Sequence, residues 1–179
     1  ANAAPTPGNI TLTLFKPGSP TTLTIPADVP GGQTCAVAVY CTTSLTTNFC
    51  QPSMTASGTA SATAASGFTL DVTGTEGQRN GLFYYGLAPA GSPWGVGSSS
   101  YKCVASPSQR TPSGLSGGTN GACDGSYSLD WNMWRAAHPT GLGSPFAAGQ
   151  TYYSQCWFRD PPAVKSTNLT DAVTFTLCP

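Results

Sequence analysis

Charged side chains are scarce in this sequence. Lysine, arginine, aspartate and glutamate together make up 8% of its 179 residues, against about 25% in an average soluble protein. The seven basic and seven acidic residues cancel, so no overall charge attracts nucleic acid or an anionic membrane, and neither is an expected partner. Solubility has to come from Ser, Thr, Asn, Gln and Gly, a surface chemistry that favours secreted and cell-surface proteins.

Groups that perform acid–base or metal chemistry are equally few. His138 is the only histidine and sits beside a turn. A Ser–His–acid catalytic triad would have to use it, and we expect no nucleophile elbow to present the serine of such a triad. Asp124 and Asp130 are the least implausible carboxylate pair for glycoside cleavage. The loop at 117–125 lacks the acidic density of a calcium site. We therefore expect no enzyme activity, no cofactor and no metal site.

Alternation of apolar and polar residues dominates the chain and is typical of antiparallel strands with one wet face. The pattern occurs at residues 10–14, 68–73, 127–131 and 173–177. Residues 82–87 are apolar on both faces and predict a central strand. The small-residue stretch 55–67 fits a flexible loop or an edge strand, and we favour the strand. Residues 130–137 predict a short helix that stops before Pro139.

These patterns predict an all-β fold. We expect a single antiparallel β-sandwich of about eight to ten strands, with long Gly- and Pro-rich loops and at most one short helix. The whole chain, residues 1–179, is predicted to form one domain. Residues 1–15 within it could act as an exchangeable N-terminal strand.

Seven cysteines in a chain of this size indicate an oxidising compartment. Cys35 and Cys41 cannot pair within one extended strand, because they lie about 20 Å apart there and a disulfide needs less than about 7 Å. We predict Cys41–Cys50 and Cys103–Cys123 disulfides, the second being the safer pair. At least two disulfides within the chain are expected.

Three cysteines remain after this assignment: Cys35, Cys156 and Cys178. An odd number leaves one cysteine over, either buried and free or available to a second chain. We favour the buried thiol.

The cysteines and the low charge predict a secreted protein, extracellular or at the cell surface. No apolar run is long enough to cross a bilayer, and residues 1–9 look like the start of a mature secreted chain. Asn9 and Asn168 begin two N-x-T glycosylation sequons. Such triplets also arise by chance in Thr-rich chains, so the sequence leaves open whether either asparagine is glycosylated.

From about residue 82 onward the order of several motifs is distinctive. They are GLFYYGLAPAGSPWGVGSSSYKCV, RTP, GGTNGACDGSYSLDWN, WFRDPP and TNLTDAVTFTLCP. In this order they resemble a β-domain that recurs in extracellular proteins of planctomycetes and myxobacteria, often as a C-terminal module. The resemblance covers about residues 82–179 and implies an extracellular β-domain. It carries over no catalytic residue.

The stretch 152–159 holds the densest group of aromatic residues. Alternation places Tyr153, Trp157 and Arg159 on one face of a strand, with the two rings about 13 Å apart, a spacing at which they could stack on successive sugars. The favoured alternative is that this face packs under a long loop with Arg159 paired to an aspartate, since aromatic side chains are usually buried. Trp94, in the SPWG turn, is a second candidate for sugar binding.

The leading functional hypothesis is a non-catalytic extracellular structural or assembly protein, such as a subunit of a surface fibre, layer or adhesive. Ile10, Leu12 and Leu14 could dock on the exposed sheet edge of another copy. Contacts between unlike surfaces of identical subunits give filaments, so the expected partner is the chain itself. The alternative is a carbohydrate-binding module with a polysaccharide partner, and a secreted hydrolase comes third.

Overall fold

The computed structural model describes residues 10–14, 21–25 and 35–179. The chain divides into two compact units, residues 1–34 and residues 35–179, each described by itself. That all 179 residues form one domain stays a prediction.

The first unit contains a pair of strands. β1 (Ile10–Leu14) and β2 (Thr21–Ile25) run antiparallel, with Ile10 opposite Ile25. Threonine alternates with leucine or isoleucine in both strands, and β-branched residues suit extended backbone. The strand predicted at Ile10, Leu12 and Leu14 is therefore confirmed, while the role of these residues in assembly stays a prediction.

The second unit contains eleven strands, one α-helix and a short 3-10 helix at Val164–Ser166. These elements are β3 (Val37–Tyr40), β4 (Ser53–Gly58), β5 (Phe68–Thr75), β6 (Asn80–Gly86), β7 (Pro89–Pro93), β8 (Tyr101–Val104), β9 (Ser108–Arg110), β10 (Gly114–Leu115), β11 (Gly125–Asp130), α1 (Trp131–Ala137), β12 (Thr151–Arg159) and β13 (Thr167–Thr176). The strands outnumber the eight to ten predicted, because β7 to β10 are short, and β7 and β10 form within Gly- and Pro-rich segments predicted as loops.

Two antiparallel sheets organise these strands. The larger has the order β3, β13, β12, β6, and the short strands β9 and β10 both pair with the far edge of β6. The smaller has the order β11, β5, β4. β7 and β8 form a separate two-stranded ribbon. The prediction of β6 as an interior strand is confirmed, and so is the all-β, antiparallel class.

Side chains of both sheets meet in one buried core. Phe68 of the smaller sheet contacts Phe175 of the larger, with ring centroids 4.9 Å apart. Trp131 of α1 has no exposed surface, and its ring lies 4.6 Å from that of Tyr85 and 5.0 Å from that of Phe175. Such edge-on aromatic pairs add to the free energy of burial. Residues 35–179 are thus a β-sandwich with an aromatic core.

The single α-helix of the described residues lies where the sequence predicts it. The Asp130 carboxylate accepts the backbone N–H of Met133 at 2.9 Å and so caps the first turn of α1. The helix ends at Ala137, two residues before Pro139. The predicted short helix is confirmed.

The small-residue stretch 55–67 begins as a strand and continues as a loop. β4 is an edge of the smaller sheet and ends at Gly58. Gly58 has φ +85°, and a Cβ there would stand 2.0 Å from the carbonyl oxygen of Gly67. Only glycine permits this conformation and this close approach, so the chain turns at Gly58. The strand predicted over 55–67 is right for its first four residues only.

Three disulfides cross-link the second unit: Cys35–Cys178, Cys41–Cys103 and Cys50–Cys123. The expectation of at least two intrachain disulfides is confirmed. The predicted partners are wrong: Cys41 does not pair with Cys50, and Cys103 does not pair with Cys123.

Backbone contacts explain the Cys50–Cys123 pair. The N–H of Asn48 donates to a carboxylate oxygen of Glu76 at 3.3 Å, and the N–H of Gly77 donates to the carbonyl of Ala122 at 2.9 Å. The turn after β5 therefore brings together two loops that are distant in sequence. Their cysteines meet there, across a chain separation of 73 residues.

Cys41 meets Cys103 through the ribbon formed by β7 and β8. The Tyr40 hydroxyl donates to the Cys103 carbonyl at 2.6 Å, which places the end of β3 beside β8. Cys156 is the free cysteine, with no exposed surface, and burial raises the pKa of its thiol. The expected leftover cysteine is therefore buried and free, as favoured.

Candidate functional site

The outer face of the larger sheet carries the aromatic residues singled out in the sequence. Side chains alternate along a strand, so Tyr85 and Tyr152 point into the core while their neighbours Tyr84 and Tyr153 point outward. Trp157 lies on the same outer face. Leu82 and Leu169 complete a second, smaller apolar cluster there. This outer cluster lies apart from the core between the sheets.

Gln155 holds the β7–β8 ribbon against this outer face. It is fully buried, and its Oε1 accepts the backbone N–H of Cys103 at 3.0 Å and the hydroxyl of Tyr84. Its Nε2 donates to the carbonyls of Tyr101 at 2.8 Å and Thr170 at 2.6 Å. All the hydrogen-bonding groups of this side chain thus have partners, and the ribbon is fixed in place.

The ribbon positions Trp94 against the outer cluster. Trp94 follows β7, its backbone N–H donates to the Ser100 carbonyl at 2.8 Å, and its indole Nε1 donates to Thr167 Oγ1 at 2.9 Å. Trp94 and Trp157 line one pocket of about 130 Å³. Its lining residues are Leu82, Tyr84, Trp94, Lys102, Ser108, Arg110, Trp157 and Leu169.

Positive charge surrounds this pocket. Lys102 and Arg110 line it, Lys165 Nζ lies 4.3 Å from the ring centroid of Trp94, and the Arg159 guanidinium lies 5.6 Å from that of Trp157. In the described part of the chain the only ion pair joins Arg79 to Glu76. These four cations therefore have no carboxylate partner among the described residues.

The structure brings together three of the four proposed binding residues. Trp94 and Trp157 share the pocket, and Arg159 packs on the Trp157 ring. Arg159 is exposed and forms no ion pair with an aspartate, contrary to the favoured alternative. Tyr153 does not line the pocket, because its ring packs edge-on against Tyr40 at 5.7 Å. β8 covers Gln155 between Tyr153 and Trp157, which agrees with the favoured packing of this face under a connecting segment, and sugar stacking on this pair of rings stays a prediction.

Sequence reasoning missed Lys102, Arg110 and Tyr84. Tyr84 sits in a stretch that is apolar on both faces, and this was a signal for an outward-facing apolar surface. Arg110 lies opposite Tyr84 in the β6–β9 ladder, a pairing that no local pattern shows. Arg110 and Lys102 are brought to the pocket by the pairing and packing of strands, which local sequence patterns do not reveal.

The residues considered for catalysis have structural contacts instead. Asp124 accepts the backbone N–H of Thr119 at 2.8 Å, and Asp130 caps α1. The His138 ring stacks on that of Trp134 at 4.5 Å, and its Nδ1 lies 2.7 Å from the Trp134 carbonyl oxygen. None of these three side chains lines the pocket.

One short segment, GLSGG at 114–118, has the G-x-S-x-G spacing of a nucleophile elbow. It begins in β10 and does not lead into a helix, as such an elbow requires. The Ser116 hydroxyl is buried and donates to the Glu76 carbonyl at 2.8 Å. Ser116 therefore holds a turn in place.

Asn168 is an unsuitable glycosylation site in this fold. The residue is buried, and its Nδ2 donates to the Leu45 carbonyl at 3.1 Å and to the Asp160 carboxylate at 3.3 Å. A glycan on that nitrogen has no room, so of the two alternatives left open for Asn168 the structure favours the unmodified residue. Asn9 lies outside the described residues.

The described ranges lack two further features, a metal-binding cluster and a membrane-spanning helix. These ranges hold no group of three or more His, Cys, Asp or Glu side chains placed to bind a metal ion. They also contain no helix that is long and apolar enough to span a membrane.

A second notable surface is the edge formed by β3. Val37 and Val39 pair with Phe175 and Val173, which are fully buried in the core. Val37 and Val39 themselves are 44% and 54% exposed. Within residues 35–179 no strand pairs with the outer side of β3, so this edge presents free backbone groups and two apolar side chains.

Comparison with models of protein families, with curated proteins and with solved structures finds no match to this chain. The resemblance of residues 82–179 to the extracellular β-domain of planctomycetes and myxobacteria stays a prediction.

Proposed function

We propose that residues 35–179 form a non-catalytic carbohydrate-binding domain of an extracellular protein. One observation carries this proposal: Trp94 and Trp157, which are 63 residues apart in the sequence, line a single pocket on the outside of the sandwich. Both indoles are only partly buried. Aromatic side chains are normally placed in a core, so two that meet at a surface pocket suggest a ligand.

The lining suits a sugar ring. A sugar has a face of C–H groups and a rim of hydroxyls, and the positively polarised C–H groups are attracted to the negative face of an indole. Ser108, Lys102 and Arg110 supply polar groups for the hydroxyls. The pocket, about 130 Å³, is smaller than the about 300–1,000 Å³ of pockets for drug-sized ligands. It therefore accommodates one ring of a polysaccharide.

An extracellular location fits the covalent structure. Three disulfides form in a chain of this size, and such cross-links persist in oxidising compartments. We propose that the protein is secreted, since polysaccharides are abundant outside the cell.

Binding to a panel of immobilised glycans tests this proposal. We expect the native protein to retain at least one glycan, and Trp157→Ala and Trp94→Ala to weaken that binding about tenfold or more, because each removes one stacking surface. Phe49→Ala is the matched control, as Phe49 is an aromatic residue with 82% exposure that does not line the pocket. If Phe49→Ala weakens binding as much as the tryptophan variants, the pocket is not the binding site.

We also propose a second function, assembly of the chain into a homopolymer, because the β3 edge favours it. An open edge next to a core attracts an added strand, which gains a ladder of backbone hydrogen bonds. The proposed occupant is β1 of a second copy, where isoleucine and leucine alternate with threonine. Apolar residues at alternate positions would fix its register on the edge.

Sedimentation measurements test the assembly. We expect the native chain to form polymers, and deletion of residues 1–15 or the Val39→Lys substitution to yield monomers that keep their β-structure. Val96→Lys, at a valine with 98% exposure outside the sheet, controls for the added charge. A native protein that sediments as a monomer at all concentrations contradicts the proposal.

A further inference from the structure

We infer that this pocket selects acidic sugars, with Lys102 and Arg110 binding the anionic group of a uronic acid or a sulfated sugar. This inference rests on the proposed carbohydrate-binding function and adds the class of ligand. The inference is based on the distribution of charge in the fold, because the net charge of the whole chain gives no sign of a local positive region.

The chain as a whole is neutral, yet its positive charges are concentrated at one place. Six of the seven basic residues fall within the described ranges, and four of the six line the pocket or lie against its two tryptophans. No acidic residue lines it. The local field at the pocket is therefore positive, and it attracts anions.

These cations are also available to a ligand. Lys102 Nζ has one neutral partner, the Ser106 hydroxyl at 2.9 Å. No hydrogen bond from the Arg110 side chain to another described residue is present, and Arg110 lies beside the hydroxyl-bearing Tyr84 in the ladder. An anion can thus gain charge-assisted hydrogen bonds without displacing a protein carboxylate.

Asp160 is the acidic residue nearest in sequence to these cations, and within the described residues it forms no ion pair with any of them. Its carboxylate is fully buried, where it accepts the backbone N–H of Thr47 at 3.1 Å, the Thr47 hydroxyl and the Asn168 amide. Its hydrogen bonds are thus made away from Arg159, whose guanidinium lies over the Trp157 ring. Arg159 therefore keeps its hydrogen-bond donors free of a carboxylate partner among the described residues.

An acidic sugar uses both features of the pocket. Its ring packs on an indole, and its carboxylate or sulfate meets Lys102 and Arg110. A single-stranded nucleic acid also combines rings with anions, but it needs a basic groove that follows several nucleotides. Here the cations surround one pocket of about 130 Å³, which favours the sugar.

Paired polymers test the inference. Polygalacturonate and its carboxyl-reduced form share the same sugar skeleton and differ in charge, so their affinities isolate the contribution of the anion. We expect the native protein to bind the acidic polymer about tenfold more tightly, the gain of about one charge-assisted hydrogen bond. Chondroitin sulfate and its desulfated form serve as a second pair, and a preference in either pair supports the inference.

Substitutions at Lys102 and Arg110 test whether these two residues bind the anionic group of the polymer. The double variant Lys102→Met with Arg110→Met should lose the preference to within about twofold, while Lys102→Arg with Arg110→Lys keeps both charges and should retain most of it. Trp157→Ala, or Trp157→Phe if the alanine variant does not fold, should weaken binding of acidic and neutral polymers alike. Circular dichroism establishes that each variant is folded.

The outcomes separate the two proposals. Equal affinity within both polymer pairs overturns the acidic preference and leaves carbohydrate binding intact. Binding to none of the polymers overturns both. A preference that survives the double methionine variant, or acidic binding that is unchanged by Trp157→Ala, places the anion elsewhere and overturns the inference. Tighter binding to single-stranded DNA than to any polysaccharide also overturns it.

Discussion

The Gln155 side chain accepts the backbone N–H of Cys103 at 3.0 Å, across the gap between β12 and the β7–β8 ribbon. Cys103 is also joined to Cys41 by a disulfide. A buried hydrogen bond and a covalent bond therefore hold the same point of the ribbon. Because the ribbon carries Trp94 and Lys102, these two links determine the shape of the pocket.

Replacing Gln155 with leucine should destabilise the protein strongly. The substitution leaves the Cys103 N–H, the Tyr101 carbonyl and the Thr170 carbonyl without their side-chain partner in a buried place. Each unsatisfied group costs about 1–3 kcal/mol, so for three groups we expect the free energy of unfolding to fall by at least about 3 kcal/mol. Chemical denaturation measures this loss.

The same substitution at an exposed glutamine, Gln51→Leu, is the control and should change stability by less than about 0.5 kcal/mol. Hydrogen exchange at the Cys103 amide should accelerate in Gln155→Leu, because that amide loses its acceptor. An unchanged exchange rate would show that Gln155 does not fix the ribbon.

Peptide mapping without reductant should recover the three observed disulfides. Chymotrypsin cleaves after Leu45 and Phe49, which are 51% and 82% exposed, and so separates Cys41 from Cys50. We expect linked peptides for Cys35–Cys178, Cys41–Cys103 and Cys50–Cys123, while the Cys156 thiol reacts with alkylating agents only after unfolding. A peptide that links Cys41 to Cys50 would contradict the structure.

Removal of the Cys50–Cys123 disulfide should lower stability substantially. The bond closes a loop of 73 residues, and in the chain-entropy model this restricts the unfolded state by about 4 kcal/mol. The double variant Cys50→Ser with Cys123→Ser should therefore unfold at a clearly lower denaturant concentration. Cys156→Ser, which removes a thiol and no disulfide, is the comparison. Equal midpoints for the native protein and the double variant would be inconsistent with this cross-link.

Local patterns in the sequence were sufficient to predict most of the longer strands and the α-helix. Alternation identified β1, β5, β11, β12 and β13, a run that is apolar on both faces identified β6, and residues 130–137 identified α1. These features depend on side chains within a few positions of one another. For that reason they could be read without knowing the topology.

The pocket and the disulfides could not be derived in this way. Arg110 reaches Tyr84 only because β9 pairs with β6, and Trp94 reaches Trp157 only because Gln155 holds the ribbon. The predicted disulfides join cysteines at the two ends of a single loop. The folded sheets instead bring distant cysteines together. The predicted importance of Trp94 and Trp157 was thus based on residue type, and their meeting is a property of the fold.

The helix cap supports a prediction about Asp130. Its carboxylate accepts the N–H groups of Met133 at 2.9 Å and of Gly67 at 2.8 Å. Asp130→Ala removes both bonds and should cost about 1 kcal/mol of stability or somewhat more. Asp130→Ser keeps a capping oxygen and should recover part of the loss. Equal stability of the alanine and serine variants, measured by thermal unfolding, would argue against the cap.

Asp171 and Asp130 should respond oppositely to replacement by asparagine. Burial raises the pKa of Asp171, although the N–H of Met54, 2.7 Å from its Oδ1, partly offsets this. Burial would raise the pKa of Asp130 as well, but backbone N–H donors, those of Gly67 and Met133 among them, lower it overall. A raised pKa means that the native state binds the proton more tightly than the unfolded state, so the charge on Asp171 reduces stability at pH 7.

We therefore expect Asp171→Asn to stabilise the protein at pH 7, since asparagine keeps an oxygen for the Met54 N–H. This gain should shrink as the pH falls through the raised pKa of Asp171 towards about 3.9, the unfolded value, where the native carboxyl is itself neutral. Asp130→Asn should lose stability at pH 7, and its deficit should vanish only as the pH falls below 3.9 through the lowered pKa. Urea denaturation at intervals between pH 7 and pH 2 measures both curves. If Asp171→Asn is the less stable protein at pH 7, the buried charge is stabilised in the native fold by a partner beyond Met54.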